Sequence, residues 1–186
     1  MSSLRIYNET DFGEPVSYTE DGAEISRQLN EMGVRFERWS TRDLGASASP
    51  DDILTAYADE VERLKKENGF TTADVISLNS NHPQKDELRK KFLDEHRHSE
   101  DEVRFFVRGQ GLFYLHLEDK VYVVQCCQDD LISVPNGTKH WFDMGPTPEF
   151  TCVRLFTNPE GWVAQFTGDE IASHGPRFEQ LLPEAC

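Results

Sequence analysis

The second half of this chain is cut into short apolar runs by turns at nearly even spacing, and that punctuation restricts it to a compact β architecture. The runs are Val103 to Val107, Leu112 to Leu117, Val121 to Gln125, Leu131 to Val134, His140 to Phe142 and Phe150 to Phe156. Between them stand Gly109 to Gly111, Glu118 to Lys120, Asp129 with Asp130, Pro135 to Gly137 and Gly145 to Pro148, all rich in turn-forming residues. Strands this short and this regular pair into a sandwich or a small barrel.

The first half is mixed. Leu4 to Tyr7 and Val16 to Tyr18 read as strands, Asp21 to Met32 as a helix stopped by Gly33, and Val34 to Trp39 as an alternating strand. One long helix is predicted over 50–68, with Ser49 as its cap, Pro50 in its first turn, Asp51 and Asp52 at its positive end and Gly69 as its stop. A second covers Gln84 to Asp94, and the tail from Gly168 reads as short helix and coil. With no repeat, low-complexity block or linker, residues 1–186 are expected to form a single domain. It is mainly β with peripheral helices, its barrel core lies at roughly 95–167, and the mixed α/β segment packs on that core.

Acidic residues number 34 against 19 basic ones, for a formal net charge of −15. Such a surface repels nucleic acid and anionic membranes, so neither is an expected partner. An anionic substrate would need a local positive focus. Cys126, Cys127, Cys152 and Cys186 form no regular framework and are read as reduced thiols, with core filling the default role for the vicinal pair. The N-terminus has no apolar leader core and no apolar run reaches spanning length, so a cytoplasmic protein is expected; without an exposed apolar stripe, so is a monomer.

The chemistry concentrates in His96-Arg-His98-Ser-Glu-Asp-Glu102. On a continuous strand, His96, His98, Glu102 and Arg104 share one face, while Val103, Phe105 and Val107 take the other. Parity leaves Glu100 open as the carboxylate and turns Asp101 away. An H-x-H in an acidic stretch, taken alone, is more often a solvated surface feature. A third nitrogen changes the balance. Pro135-Asn-Gly-Thr-Lys-His140 sets a turn and then a histidine at the start of a strand-like run, able to swing back toward the first segment. Imidazoles and a carboxylate together suit Fe(II), Ni(II), Mn(II) or Zn(II).

His96-x-His98-x-x-x-Glu102, then Gly109, then Pro135-x-Gly137-x-x-His140, resembles the paired motifs of the cupin superfamily, a double-stranded β-helix or jelly-roll barrel. Two positions depart from the pattern: Lys90 and Met144 stand where a glycine and an asparagine are common, and both shape turns rather than bind metal. A narrower likeness covers most of the chain. HRHSEDEVRFFVRGQGLFYL, DLISVPNGTKHWFDMG and FTCVRLFTNPEGWVAQF are similar to the acireductone dioxygenase family of methionine salvage.

That resemblance implies one Fe(II) or Ni(II) per chain on His96, His98, Glu102 and His140, and it is what selects Glu102 over Glu100. The substrates it implies are O2 and the acireductone 1,2-dihydroxy-3-keto-5-methylthiopentene. The Fe(II) form would yield 4-methylthio-2-oxobutanoate and formate; the Ni(II) form would yield 3-(methylthio)propanoate, formate and carbon monoxide. Arg104 and Arg154 are expected to hold substrate oxygens. Phe92, Phe142 and Trp162 are expected to form an aromatic wall, and Asp101 to serve as an acid or base if the strand bulges. The rival readings are another cupin metalloenzyme, either a different dioxygenase or an isomerase, and a non-catalytic metal-binding cupin. Arginines flanking the ligands count against storage.

Overall fold

The structure is a computed structural model and describes residues 1–45, 47–158 and 163–181. Its strands are β1 (Ser3–Asn8), β2 (Ser17–Thr19), β3 (Arg35–Arg38), β4 (Thr72–Leu78), β5 (His96–Arg97), β6 (Glu102–Gly109), β7 (Gly111–Leu117), β8 (Lys120–Cys126), β9 (Asp130–Val134), β10 (Lys139–Asp143), β11 (Phe150–Phe156) and β12 (Gln165–Phe166). The helices are α1 (Gly22–Glu31), α2 (Pro50–Ala56), α3 (Ala58–Asn68), α4 (Lys85–Phe92), α5 (Ile171–His174) and α6 (Phe178–Leu181).

The strands form two antiparallel sheets. One runs β12-β5-β10-β7-β8-β1-β2 and the other β3-β9-β6-β11-β4. All six runs expected in the second half are strands, with ends shifted by a residue or two. Side-chain alternation sorts them into layers. Phe106 of β6 faces Phe113 and Leu115 of β7 in the core between the sheets. Its neighbours Val103, Phe105 and Val107 turn outward, as parity predicts, onto Ile53 of α2, Val61 and Leu64 of α3, and Tyr57 between the two helices. Trp39 stacks on Phe105 there, with centroids 4.2 Å apart. The outer face of the seven-stranded sheet is covered by Ile171 and Ala172 of α5.

Four local readings change. The helix predicted over 50–68 is two helices parted at Tyr57 (φ −108°, ψ 19°), and Tyr57 is buried with its ring 4.7 Å from that of Phe105. Both pieces can thereby face the same apolar layer. β4 goes unforeseen because it is an edge strand whose residues are mostly half-buried, so alternation is weak. The stretch from His96 to Glu102 is not one strand: it bends at Ser99 and Glu100, leaving β5 in one sheet and β6 in the other. Cys126 and Cys152 are free and buried, whereas Cys127 is disulfide-bonded, which corrects the all-thiol expectation. No helix among the described residues is long and apolar enough to cross a membrane.

Candidate metal centre

The bend at Ser99 and Glu100 brings the two sheets together at one point. β5 pairs with β10 so that His96 lies directly opposite His140. β6 starts the other sheet at Glu102, and His98 sits in the link between them. The turn at 135–137 is tied to that link: Gly137 N–H donates to the His98 carbonyl at 2.9 Å, and Asn136 N–H donates to the Asp101 carboxylate at 2.9 Å. His96, His98, Glu102 and His140 are all buried, and each offers a ligand atom within 4.8 Å of the others.

The imidazoles are aimed from behind. His96 Nδ1–H donates to the Asp94 carbonyl at 2.7 Å, His140 Nδ1–H to the Thr138 carbonyl at 2.8 Å, and His98 Nδ1–H to the Val163 carbonyl at 3.4 Å. A carbonyl only accepts, so the Nδ1 proton is fixed and Nε2 of each ring is the atom left to face the centre. Burial and the neighbouring His140 press His96 down to about 4, so it is neutral at neutral pH and offers a lone pair. Burial alone would raise Glu102, but the Arg104 guanidinium and hydrogen bonds from His140 and His98 outweigh it and hold the carboxyl well below its usual range. His140 Nε2 lies 2.8 Å from the Glu102 carboxylate and His98 Nε2 3.3 Å. Burial opposes the charged form of His140, yet its contact with Glu102 leaves it raised, and metal binding would release that proton. Nitrogen donors of fixed tautomer with one ionised oxygen donor fit a divalent transition metal.

The four residues sit in the wall of a cavity of about 500 Å³. Arg104, Arg154, Phe92 and Phe142 line it as well, together with Lys91, Phe113, Phe150 and Phe166, which the sequence reading did not single out. Lys91 and Phe92 share the last turn of α4, a signal that was available in the helix pattern. The Phe142 ring lies 6.4 Å from Phe92, 4.9 Å from Phe113 and 5.8 Å from Phe150, so the rings form one patch. Arg104 Nε donates to Glu102 at 3.0 Å, and Arg154 Nε donates to Asp74 at 2.7 Å. Cys152 also lines the cavity, and burial pushes its thiol up to about 12.

Two acidic candidates have other work. Glu100, the alternative carboxylate, accepts from the backbone N–H groups of Thr157 and Asn158, each at 3.0 Å. Asp101 is not among the cavity-lining residues, and its Oδ1 accepts from the Asn136 N–H at 2.9 Å. Trp162 lies outside the described residues.

Three comparisons bear on this geometry. The model of the ARD/ARD' family matches residues 14–164. An acireductone dioxygenase of Hahella chejuensis is 82% identical over 185 residues, 100% of either chain, and one of Marinobacter nauticus is 61% identical over 97% of this chain and 98% of its own. Among solved structures, an acireductone dioxygenase from Bacillus anthracis with a cadmium ion in its active centre superposes with a TM-score of 0.80. It is 32% identical and covers 89% of this chain and 98% of its own.

Proposed function

Because the chain belongs to the ARD/ARD' family, we propose that it is an acireductone dioxygenase cleaving 1,2-dihydroxy-3-keto-5-methylthiopentene with O2. The observation that carries the reading is the convergence of four buried donor groups within 4.8 Å, in the wall of a cavity that also holds guanidiniums and aromatic rings. His96, His98, Glu102 and His140 would hold one Fe(II) or Ni(II), which when bound supplies the Lewis acidity and oxygen chemistry of the reaction.

The chain's own residues bind, orient and exclude water. The substrate is an anionic enediolate, and in a protein of net charge −15 it must be drawn by local cations. Arg104 and Arg154 provide them, directed at the substrate oxygens and offsetting charge that builds there. Arg104 also steadies the Glu102 carboxylate. Phe92 and Phe142 form the wall against which the methylthio tail lies, keeping water from the reacting atoms. A net charge of −15 disfavours nucleic acid and anionic membrane as partners, and the reading is completed by a cytoplasmic monomer folded as a single cupin unit.

The test is to strip the metal, reload separately with Fe(II) and Ni(II), and assay acireductone with O2. The Fe(II) form should yield 4-methylthio-2-oxobutanoate and formate. The Ni(II) form should yield 3-(methylthio)propanoate, formate and carbon monoxide. No acireductone-dependent O2 uptake by either form defeats the reading.

A further inference from the structure

Immediately before His96 stands a carboxylate that the proposed reaction does not use. The Glu95 side chain is fully buried on the far side of β5 from the cavity lining, and both of its oxygens are engaged. Oε2 lies 2.6 Å from His116 Nδ1, whose Nε2 lies 2.8 Å from Glu9. Oε1 accepts from the Thr167 hydroxyl at 2.7 Å, and the Glu95 carbonyl accepts from Thr167 N–H at 3.1 Å. Burying a carboxylate is costly unless its oxygens are bonded, so such a placement needs a reason.

The reason lies in what Thr167 holds. Segment 163–167 is the outer rim of the metal centre. The Val163 carbonyl aims His98, and the Phe166 ring packs 5.9 Å from that of His96. Yet Val163 is 66% exposed and Phe166 52%, so the rim gains little from the core. Its ladder to β5 has only Gln165 opposite Arg97 and Phe166 opposite His96. A ladder of two residues is marginal by itself. The bonds from Thr167 to Glu95 lengthen it by a step and fasten it to a buried anchor, which His116 ties to β7.

We infer that Glu95 and Thr167 form a clip that positions the rim, and through it His98 and His96, for metal binding. Both are positioning residues. The inference rests on the metal-centre reading above. It explains why a buried carboxylate stands next to a ligand it does not touch: residue 95 is the last one that can point away from the cavity before His96 points in.

The experiment measures Ni(II) affinity by chelator competition, and the thermal midpoint of the metal-free protein, for wild type, Thr167→Val, Thr167→Ser and Glu95→Gln. Thr167→Val keeps the side-chain volume and deletes only the hydroxyl, so the apoprotein should melt within a few degrees of wild type. Its Ni(II) affinity should fall roughly 10-fold, in the range set by residues that orient ligands. Thr167→Ser should restore it, and Glu95→Gln should weaken affinity in the same direction. Wild-type Ni(II) affinity in Thr167→Val, or a loss that Ser does not rescue, overturns the clip while leaving the metal centre standing. A wild-type protein that binds no stoichiometric Ni(II) overturns both.

Discussion

Arg104 and Arg154 stand directly opposite each other on neighbouring strands β6 and β11, and both line the cavity. Like charges in that register repel. The fold tolerates them by setting a carboxylate beside each, Glu102 next to Arg104 and Asp74 next to Arg154. Two cations kept side by side at a cavity wall are what an anionic substrate requires.

The two arginines should separate on mutation. Arg104 bonds the proposed ligand Glu102, so Arg104→Ala should lower metal affinity roughly 10-fold as well as activity. Arg154 bonds only Asp74 among these carboxylates, so Arg154→Ala should keep full metal content while kcat/KM falls about 100-fold. Metal analysis beside steady-state kinetics checks both; a metal-poor Arg154→Ala or unchanged kinetics contradicts the assignment.

Removing a ligand should act on the site rather than the fold. His96→Ala or His140→Ala should lose stoichiometric metal and at least about a thousandfold in rate, corresponding to several kcal/mol of lost stabilisation. Circular dichroism should stay near that of the wild-type apoprotein. A variant that keeps both metal and rate refutes its ligand role.

Metal should also stabilise the protein, because the four donors come from both sheets. At 100-fold excess over Kd, binding contributes about 2.7 kcal/mol, which for a chain of this size raises Tm by roughly 5–11 °C. Calorimetry with and without Ni(II), and reversal by EDTA, measures this. His96→Ala should show no shift.

Two glycines of the β6–β7 turn should fail differently. Gly109 has φ +72°, and a Cβ there would lie 1.8 Å from the Glu149 carbonyl oxygen, so Gly109→Ala should cost about 3 kcal/mol of stability. The atoms nearest a Cβ on Gly111 belong to the Phe142 ring, at 2.3 Å, so Gly111→Ala should displace that ring and raise KM with a smaller loss of stability. Denaturant melts and kinetics on both variants test the distinction.

The acid limb of stability should involve Glu37. Burial works against its charge, but hydrogen bonds from Arg63, Trp39 and Arg35 bring it down to about 2. A carboxylate depressed in the fold stabilises above its unfolded value of about 4 and loses that contribution as pH falls toward the folded value. Glu37→Gln should therefore be less stable than wild type at pH 7, with the gap closing as pH falls from about 5 to 2. A gap independent of pH contradicts this.

Much of the site was legible because its signals are local. H-x-H, Glu102 and the Pro135 to His140 turn carry the donor types and the bend that returns the chain, and strand alternation correctly assigned Val103, Phe105 and Val107 to the outer layer. Parity across 96–102 presumed one continuous strand and left Glu100 open beside Glu102, with the family resemblance deciding between them. The chain bends at Ser99 and Glu100, and the donors meet because two sheets converge. What stayed hidden is long-range or weakly patterned. Asp74, the partner of Arg154, lies on the unforeseen edge strand β4, and Thr167 reaches Glu95 across 72 residues. Asp101, turned away by parity and expected as an acid or base only on a bulged strand, accepts from the Asn136 N–H in the turn at 135–137.

Anomalous diffraction at the nickel edge from crystals of the Ni(II)-loaded protein tests the centre most directly. One peak per chain is expected, bonded to nitrogens of His96, His98 and His140 and to an oxygen of Glu102. A peak elsewhere, or none in crystals shown by elemental analysis to contain nickel, would contradict the account.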